Sequence, residues 1–133
     1  FAFAGGKVTA SYGSATAKPH ADTLFTAQDE IDGLGTEGEL ASRGLKYNLI
    51  QTVKKQAAGE LQNTDWYVVR KADAGTAVPS AITTHRAAVR TTSNDMEALI
   101  DACTTVDELV ALYTYTGDPG SQTRPLGEWP EEV

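Results

Sequence analysis

The sequence predicts a mainly α fold: a small helical domain of about four short-to-medium helices with an extended, partly β N-terminal arm. Apolar residues recur at helical spacing through the middle of the chain. Capping signals and prolines divide that region into separate helices. The first 38 residues, by contrast, are rich in Gly, Ala and Thr and poor in large aliphatic side chains. We therefore expect an arm over residues 1–38, a helical domain over 39–116 and an irregular Pro/Gly-rich tail over 117–133.

The arm contains one clearly alternating segment. Residues 7–12, Lys-Val-Thr-Ala-Ser-Tyr, alternate as a strand does, and Gly5-Gly6 and Gly13 bound them. Thr23-Leu24-Phe25 predicts either a second strand or the apolar patch of a short helix. Because a single short strand is not stable by itself, we expect the arm to wrap the helical part or to dock on a partner.

The first long helix is predicted between Glu39 and about Asn63. Its apolar stripe repeats every four residues, and lysines face away from it. The stripe consists of Leu45, Leu49, Val53, Ala57 and Leu61. Ser42 is the expected N-cap, because its hydroxyl can accept an N–H of the first turn. Gly44 and Gly59 each weaken a helix by roughly 1 kcal/mol relative to Ala.

Short helices with recognisable boundaries are predicted after Asn63. Thr64 is expected to cap a helix that ends at Ala74-Gly75-Thr76. Pro79 is expected to begin the next helix, since its missing N–H would have no partner in a first turn. The patterns Asn94-x-x-Glu97 and Thr105-x-x-Glu108 resemble capping boxes and predict two further helix starts. Prolines and glycines exclude regular helix from residues 117–133.

Charge and cysteine content exclude several classes of protein. The 133 residues carry 18 acids and 11 Lys or Arg, a formal charge of -7, so we expect no nucleic-acid partner. Apolar runs are far shorter than the ~20 residues that span a bilayer, and residues 1–6 lack the charged start of a signal segment. We therefore expect no membrane partner. Cys103, the single cysteine, excludes an internal disulfide, denies a zinc site its usual thiolates and is typical of a reducing compartment.

Candidate catalytic residues are few and scattered. His20 lies in a Lys-Pro-His loop and is expected to be solvated, whereas His85 lies on a helix and is expected to have a structural role over that of a general base. Cys103 falls at helical spacing from Leu99, which favours an inert buried thiol over a nucleophile. The sequence therefore predicts no catalytic residues, no cofactor and no enzymatic activity.

Two motifs near residue 30 resemble ligand loops but lack their context. Asp29-Glu30-x-Asp32 has the carboxylate density of a calcium loop but not the spacing or the closing glutamate of an EF-hand, so a solvated acidic loop is preferred and no metal is expected. Gly33-x-Gly35-x-x-Gly38 matches the dinucleotide fingerprint by letter. No hydrophobic strand of adequate length precedes it, so we do not expect a phosphate loop.

Aromatic and basic residues cluster near the middle of the chain. Trp66 and Tyr67 stand beside Arg70 and Lys71, and helical spacing places the Arg70 guanidinium over Trp66. We expect Trp66 to be the largest core anchor of the domain, with direct ligand contact as the alternative. Arg86 and Arg90 share one helix face, where they could clamp an anion or, as the acidic excess favours, pair with Asp65, Asp73 or other acids.

One ordered set of residues resembles a known family. It begins with Thr64-Asp65-Trp66 and Arg70, continues through Pro79 and Arg86-x-x-x-Arg90, and closes on Trp129-Pro130. This set is similar to the C-terminal segment of bacteriophage tail proteins, tail-fibre assembly chaperones and related small virion proteins, and the resemblance covers about half of the chain, Leu61 to Pro130. It implies an interaction motif and brings no catalytic residues.

The resemblance implies a non-enzymatic structural protein of the virion, in the tail, tail-fibre or baseplate region. Such a protein would be made in the host bacterial cytoplasm and dock on other phage structural proteins, with a homo-oligomer possible. The first alternative is a tail-fibre assembly chaperone absent from the virion, and the second is a small enzyme using His85 or Cys103. Aromatics such as Tyr113, Tyr115 and Trp129 suit sugar stacking, although closing the core or lining a protein interface is preferred.

Overall fold

The computed structural model describes the backbone of residues 2–4 and 7–9 and all of residues 17–133. Within these residues the fold is mainly helical, as the sequence predicts. The elements, in chain order, are β1 (Ala2–Ala4), β2 (Lys7–Thr9), β3 (Thr23–Leu24), α1 (Ala27–Ile31), β4 (Leu40–Ser42), α2 (Leu45–Gln62), α3 (Asp65–Ala74), α4 (Ser80–Ala102) and α5 (Val106–Tyr113).

The strands form two antiparallel pairs. β1 pairs with β2, with Phe3 opposite Val8. The predicted strand therefore begins at Lys7 as expected, while its continuation through Ala10–Tyr12 lies outside the described residues. β3 pairs with β4, which resolves the choice at Thr23 in favour of a strand. α1 lies between these two strands, so residues 23–42 form one hairpin with a helical turn at its tip.

The predicted N-cap Ser42 is wrong, because Ser42 pairs with Thr23 in the hairpin. Helix α2 begins two residues further on, after Gly44. Its first free N–H groups are instead bonded by the preceding chain: Leu45 N–H donates to Pro19 O at 3.0 Å and Lys46 N–H to His20 O at 2.9 Å. The Asp22 carboxylate accepts from Gly44 N–H at 2.8 Å. The loop at residues 19–22 therefore caps the N-terminus of α2.

The core lies between α2, the second half of α4, α5 and the C-terminal tail. Val53, Met96, Ile100 and Leu109 are buried in it, and the predicted α2 stripe packs there through Leu45 and Leu49. The tail is irregular, as expected, apart from a single bridge between Thr116 and Thr123. It nevertheless contributes to the core, because Leu126 is buried and its N–H donates to Leu112 O at 3.1 Å.

The predicted helix start at Asn94 is also wrong. Asn94 and Glu97 lie inside α4, which runs without a break from Ser80 to Ala102. No Pro or Gly interrupts this stretch, and Ile82, Val89 and Met96 are buried at a spacing of seven residues. The buried residues therefore form one face of a continuous helix, part of which packs along α2, and this burial outweighs the local capping pattern.

Candidate functional site

The predicted interaction motif is centred on the corner between α2 and α3. Thr64 is buried there, and its hydroxyl donates to Leu61 O at 3.0 Å. The Arg86 guanidinium reaches the corner from α4: its Nη1 donates to Leu61 O at 3.0 Å, Thr64 Oγ1 at 2.8 Å and Asp65 Oδ1 at 2.9 Å. The expected return of an arginine to Asp65 is therefore confirmed for Arg86. These bonds satisfy a C-terminal carbonyl of α2 and fix the start of α3.

Arg70 stacks on the aromatic rings, as the spacing predicts. Its guanidinium carbon lies 4.7 Å from the Trp66 ring centroid and 5.4 Å from that of Tyr67. The two rings stack on each other with centroids 3.8 Å apart. Stacking of this kind holds the Arg70 side chain against the helix surface, where its Nε is buried without a hydrogen-bond partner among the described residues.

The expectation that Trp66 anchors the core is wrong, because 51% of Trp66 is exposed. Helix α3 contributes no buried residue at all, and Val68 and Val69 are exposed beside Trp66. The physical reason is that α2, α4, α5 and Leu126 already fill the core, whereas α3 turns away at the Arg86-bound corner. Gly75 ends α3 in a left-handed conformation with φ of +70°, as the predicted break requires.

Pro79 and Arg90 border a cleft between α3 and α4. Pro79 directly precedes the first residue of α4, and its carbonyl accepts from Thr83 N–H at 3.0 Å. Arg90 is exposed and, unlike Arg86, does not pair with Asp65. We name as the basic cleft the cavity of about 320 Å³ here, whose lining contains apolar and cationic side chains. It is lined by Val68, Lys71, Ala77, Val78, Thr83, Arg86 and Arg90.

Trp129 and Pro130, the last part of the motif, lie apart from the basic cleft. Trp129 is half-buried against the core, and Pro130 borders a shallow depression beside His85. Tyr113 also packs on the core, whereas the Tyr115 hydroxyl donates to Glu128 at 2.6 Å. Tyr113 and Trp129 therefore take the structural role that was preferred to sugar stacking.

The candidate catalytic residues differ in burial. His85 is 6% exposed, in agreement with the preferred structural role, and Cys103 is equally buried. Burial raises the pKa of the Cys103 thiol, which lowers its thiolate fraction and its reactivity. His20 is half-buried, not fully solvated as expected. Within the described residues, no group of three or more His, Cys, Asp or Glu side chains is arranged to hold a metal ion.

The acidic and glycine-rich motifs near residue 30 belong to the hairpin. The Asp29 carboxylate accepts from Thr26 N–H at 2.7 Å and caps α1, and these hydrogen bonds lower the pKa of Asp29. The glycines of residues 33–38 lead into β4 and not into a helix, so they lack the structural context of a phosphate loop. Sequence reasoning missed what the hairpin exposes: Ile31 is 78% and Leu34 is 64% exposed between carboxylates. The sequence does contain an indication of this exposure, because neither Ile31 nor Leu34 belongs to an apolar repeat that would place it on a buried face.

Comparisons with protein-family models, with curated proteins and with solved structures found no match for this chain. In the described part of the chain, no helix combines the length and the apolar character needed to cross a membrane.

Proposed function

We propose that this chain is a non-enzymatic structural protein of a bacteriophage virion, in the tail, tail-fibre or baseplate region, and that it acts by docking on other phage structural proteins. The exposed face of α3 carries the proposal. Trp66 and Val69 are three residues apart, share one side of the helix and are both mostly exposed. Exposed Trp beside a stacked Arg is the composition typical of protein-interface hot spots.

The way in which α3 is held suggests that this helix serves to contact a partner and not to stabilise the fold of the chain itself. Arg86 fixes the start of the helix through three acceptors, while the rest of the helix buries nothing. A rigid element with an uncovered aromatic face loses little conformational freedom when a partner covers it. The residues at this corner, Thr64, Asp65, Trp66 and Arg86, are also among those that carry the resemblance to phage tail proteins.

Mass spectrometry of purified particles of the phage that encodes the chain would test the proposal. We expect its peptides in intact virions at a copy number comparable to that of tail components. In particles complemented with the double variant Trp66→Ala/Val69→Ala, incorporation should fall at least about tenfold, the loss expected for two central interface side chains. Val133→Ala, which truncates an equally exposed apolar residue outside α3, is the matched control and should be incorporated normally.

Absence of the chain from virions would overturn the proposal. If absence were accompanied by greater solubility of a co-expressed fibre protein, the tail-fibre assembly chaperone would replace it, since an uncovered apolar helix face also suits transient binding. Normal incorporation of the double variant would leave a virion protein but remove α3 as its docking surface.

A further inference from the structure

The fourteen residues from Thr26 to Glu39 contain five carboxylates and no Lys or Arg. We name this segment the acidic hairpin. None of its carboxylates forms an ion pair among the described residues, where the five pairs all lie elsewhere. Its apolar side chains Ile31 and Leu34 are exposed. The hairpin therefore presents two exposed apolar side chains, which we call the apolar knob, among carboxylates that form none of the described ion pairs although three of them accept hydrogen bonds within the hairpin.

The basic cleft has the opposite properties. Its lining combines the apolar residues Val68, Ala77 and Val78 with the cations Lys71 and Arg90 and with Arg86, which pairs with Asp65. Neither Lys71 nor Arg90 pairs with a carboxylate in the described part of the chain, and residues 1–16 contain no Asp or Glu. In a chain of charge -7, the cleft is thus an apolar depression with uncommitted positive charge.

The two features belong to opposite ends of the molecule. Lys46 at the start of α2 pairs with Asp101 near the end of α4, whereas Leu61 at the end of α2 accepts from Arg86 in the first half of α4. The helices are therefore antiparallel, and the hairpin is rooted at the start of α2 while the cleft lies beyond its end. With 18 residues, α2 places about 27 Å between the root of the hairpin and the corner beside the cleft. The hairpin and the cleft of one molecule are thus kept apart by the helix between them.

We infer that the basic cleft binds the acidic hairpin of a second copy of this chain, so that copies associate head to tail. The cleft would receive the apolar knob of Ile31 and Leu34, while Lys71 and Arg90 face the carboxylates around it. Contacts between two hairpins or between two clefts are opposed by like charge. The contact accordingly joins two unlike surfaces. Repeated head to tail it closes a ring or extends a filament, and exchanged reciprocally between two copies it forms a closed dimer. This inference does not depend on the proposed virion role.

Sedimentation velocity of the full chain tests the contact. At about 0.5 mM protein and about 50 mM salt we expect concentration-dependent oligomers, and dissociation at about 500 mM salt because screening weakens exposed charge pairs. The cleft variant Lys71→Glu/Arg90→Glu and the hairpin variant Glu30→Lys/Glu37→Lys should each weaken association at least about tenfold. An equimolar mixture of the two should recover a complex, because each retains the surface that the other lacks.

Matched controls separate the contact from general charge effects. Lys18→Glu/Lys55→Glu changes the net charge as the cleft variant does, but at exposed sites away from the cleft, and should associate as the wild type does. Ile31→Ser removes the more exposed of the two knob side chains without changing charge and should also weaken association. Circular dichroism establishes that every variant is folded.

A monomer at every concentration in low salt would refute the inference. So would association that persists in both charge-reversal variants, or equal weakening by the control pair. Failure of the mixture to recover a complex would show that the two surfaces do not meet. None of these outcomes bears on whether the chain is found in virions.

Discussion

Arg86 joins α4 to the corner between α2 and α3 through hydrogen bonds to Leu61, Thr64 and Asp65. Replacement by Ala leaves the Leu61 carbonyl and the buried Thr64 hydroxyl without their charged donor. We expect Arg86→Ala to lower the free energy of unfolding by roughly 1–3 kcal/mol, the range for loss of charge-assisted hydrogen bonds. Urea denaturation followed by circular dichroism measures it. Arg90→Ala, on the same helix but exposed, should change stability by less than about 0.5 kcal/mol, and equal effects would contradict the anchoring role of Arg86.

Gly44 and Gly59, at the start and within helix α2, are expected to respond in opposite ways to replacement by alanine. A Cβ at Gly44 would meet the backbone of Ala21 at under 3.0 Å, whereas a Cβ at Gly59 meets nothing within 4 Å. We expect Gly44→Ala to destabilise the fold by roughly 1–3 kcal/mol through overpacking. Gly59→Ala should stabilise it by roughly 0.5–1 kcal/mol, because alanine is the better helix former. Thermal melts of the two variants provide the test, and a stabilising Gly44→Ala would show that the loop at residues 19–22 does not pack against α2.

At the scale of the element, the start of α5 depends on the ionised carboxylate of Glu108. Thr104 N–H donates to this carboxylate, and that hydrogen bond lowers the pKa of Glu108. A pKa lowered by folding stabilises the fold at pH values above the pKa of the unfolded chain and loses this effect as pH falls. The stability difference between wild type and Glu108→Gln should therefore be largest near pH 7 and shrink towards about pH 3.

Urea unfolding at several pH values measures the Glu108 effect. Glu131→Gln in the exposed tail is the matched control, because its carboxylate forms none of the described hydrogen bonds. A Glu108→Gln difference that is constant with pH would mean that the charge of the carboxylate does not stabilise α5.

Some of the helices could be predicted from the sequence and others could not. α2 and the Thr105 cap of α5 were predictable, because an apolar stripe and a capping hydroxyl act over a few residues. The continuity of α4 was not, since it depends on packing along α2 and not on the local pattern at Asn94. The exposure of Trp66 could not be predicted either. A large aromatic side chain favours burial, but the sequence does not show whether the core has room for it.

At the scale of the whole molecule, the tail belongs to the same cooperative unit as the helices. Leu126 is buried in the core with Met96 and Ile100, although it lies in an irregular segment. We expect Leu126→Ala to lower the free energy of unfolding by roughly 2–4 kcal/mol, the range for truncating a core leucine. Val133→Ala, exposed in the same tail, should cost less than about 0.5 kcal/mol. If both variants melted like the wild type by circular dichroism, the tail would be only loosely attached.

Contacts in the structure cross both boundaries of the predicted division into arm, helical domain and tail. β3, in the predicted arm, pairs with β4 beyond the boundary at residue 38, and Leu126 in the predicted tail enters the helical core. Composition identified where large aliphatic residues are dense. It could not identify these contacts, because a short strand pair and a single buried leucine change the local composition very little.

The Arg86 contact also determines when α3 can reach its final position during synthesis. Helix α3 leaves the ribosome before the residue that fixes its direction, since Arg86 follows Asp65 by 21 positions. Until Arg86 emerges, the corner at Thr64 lacks its donor and the aromatic face of α3 has no fixed orientation. The nascent chain therefore exposes Trp66 and Val69 before it can present them in the geometry of the finished protein. The Arg86-bound geometry of α3 can therefore form only after residue 86 has been synthesised.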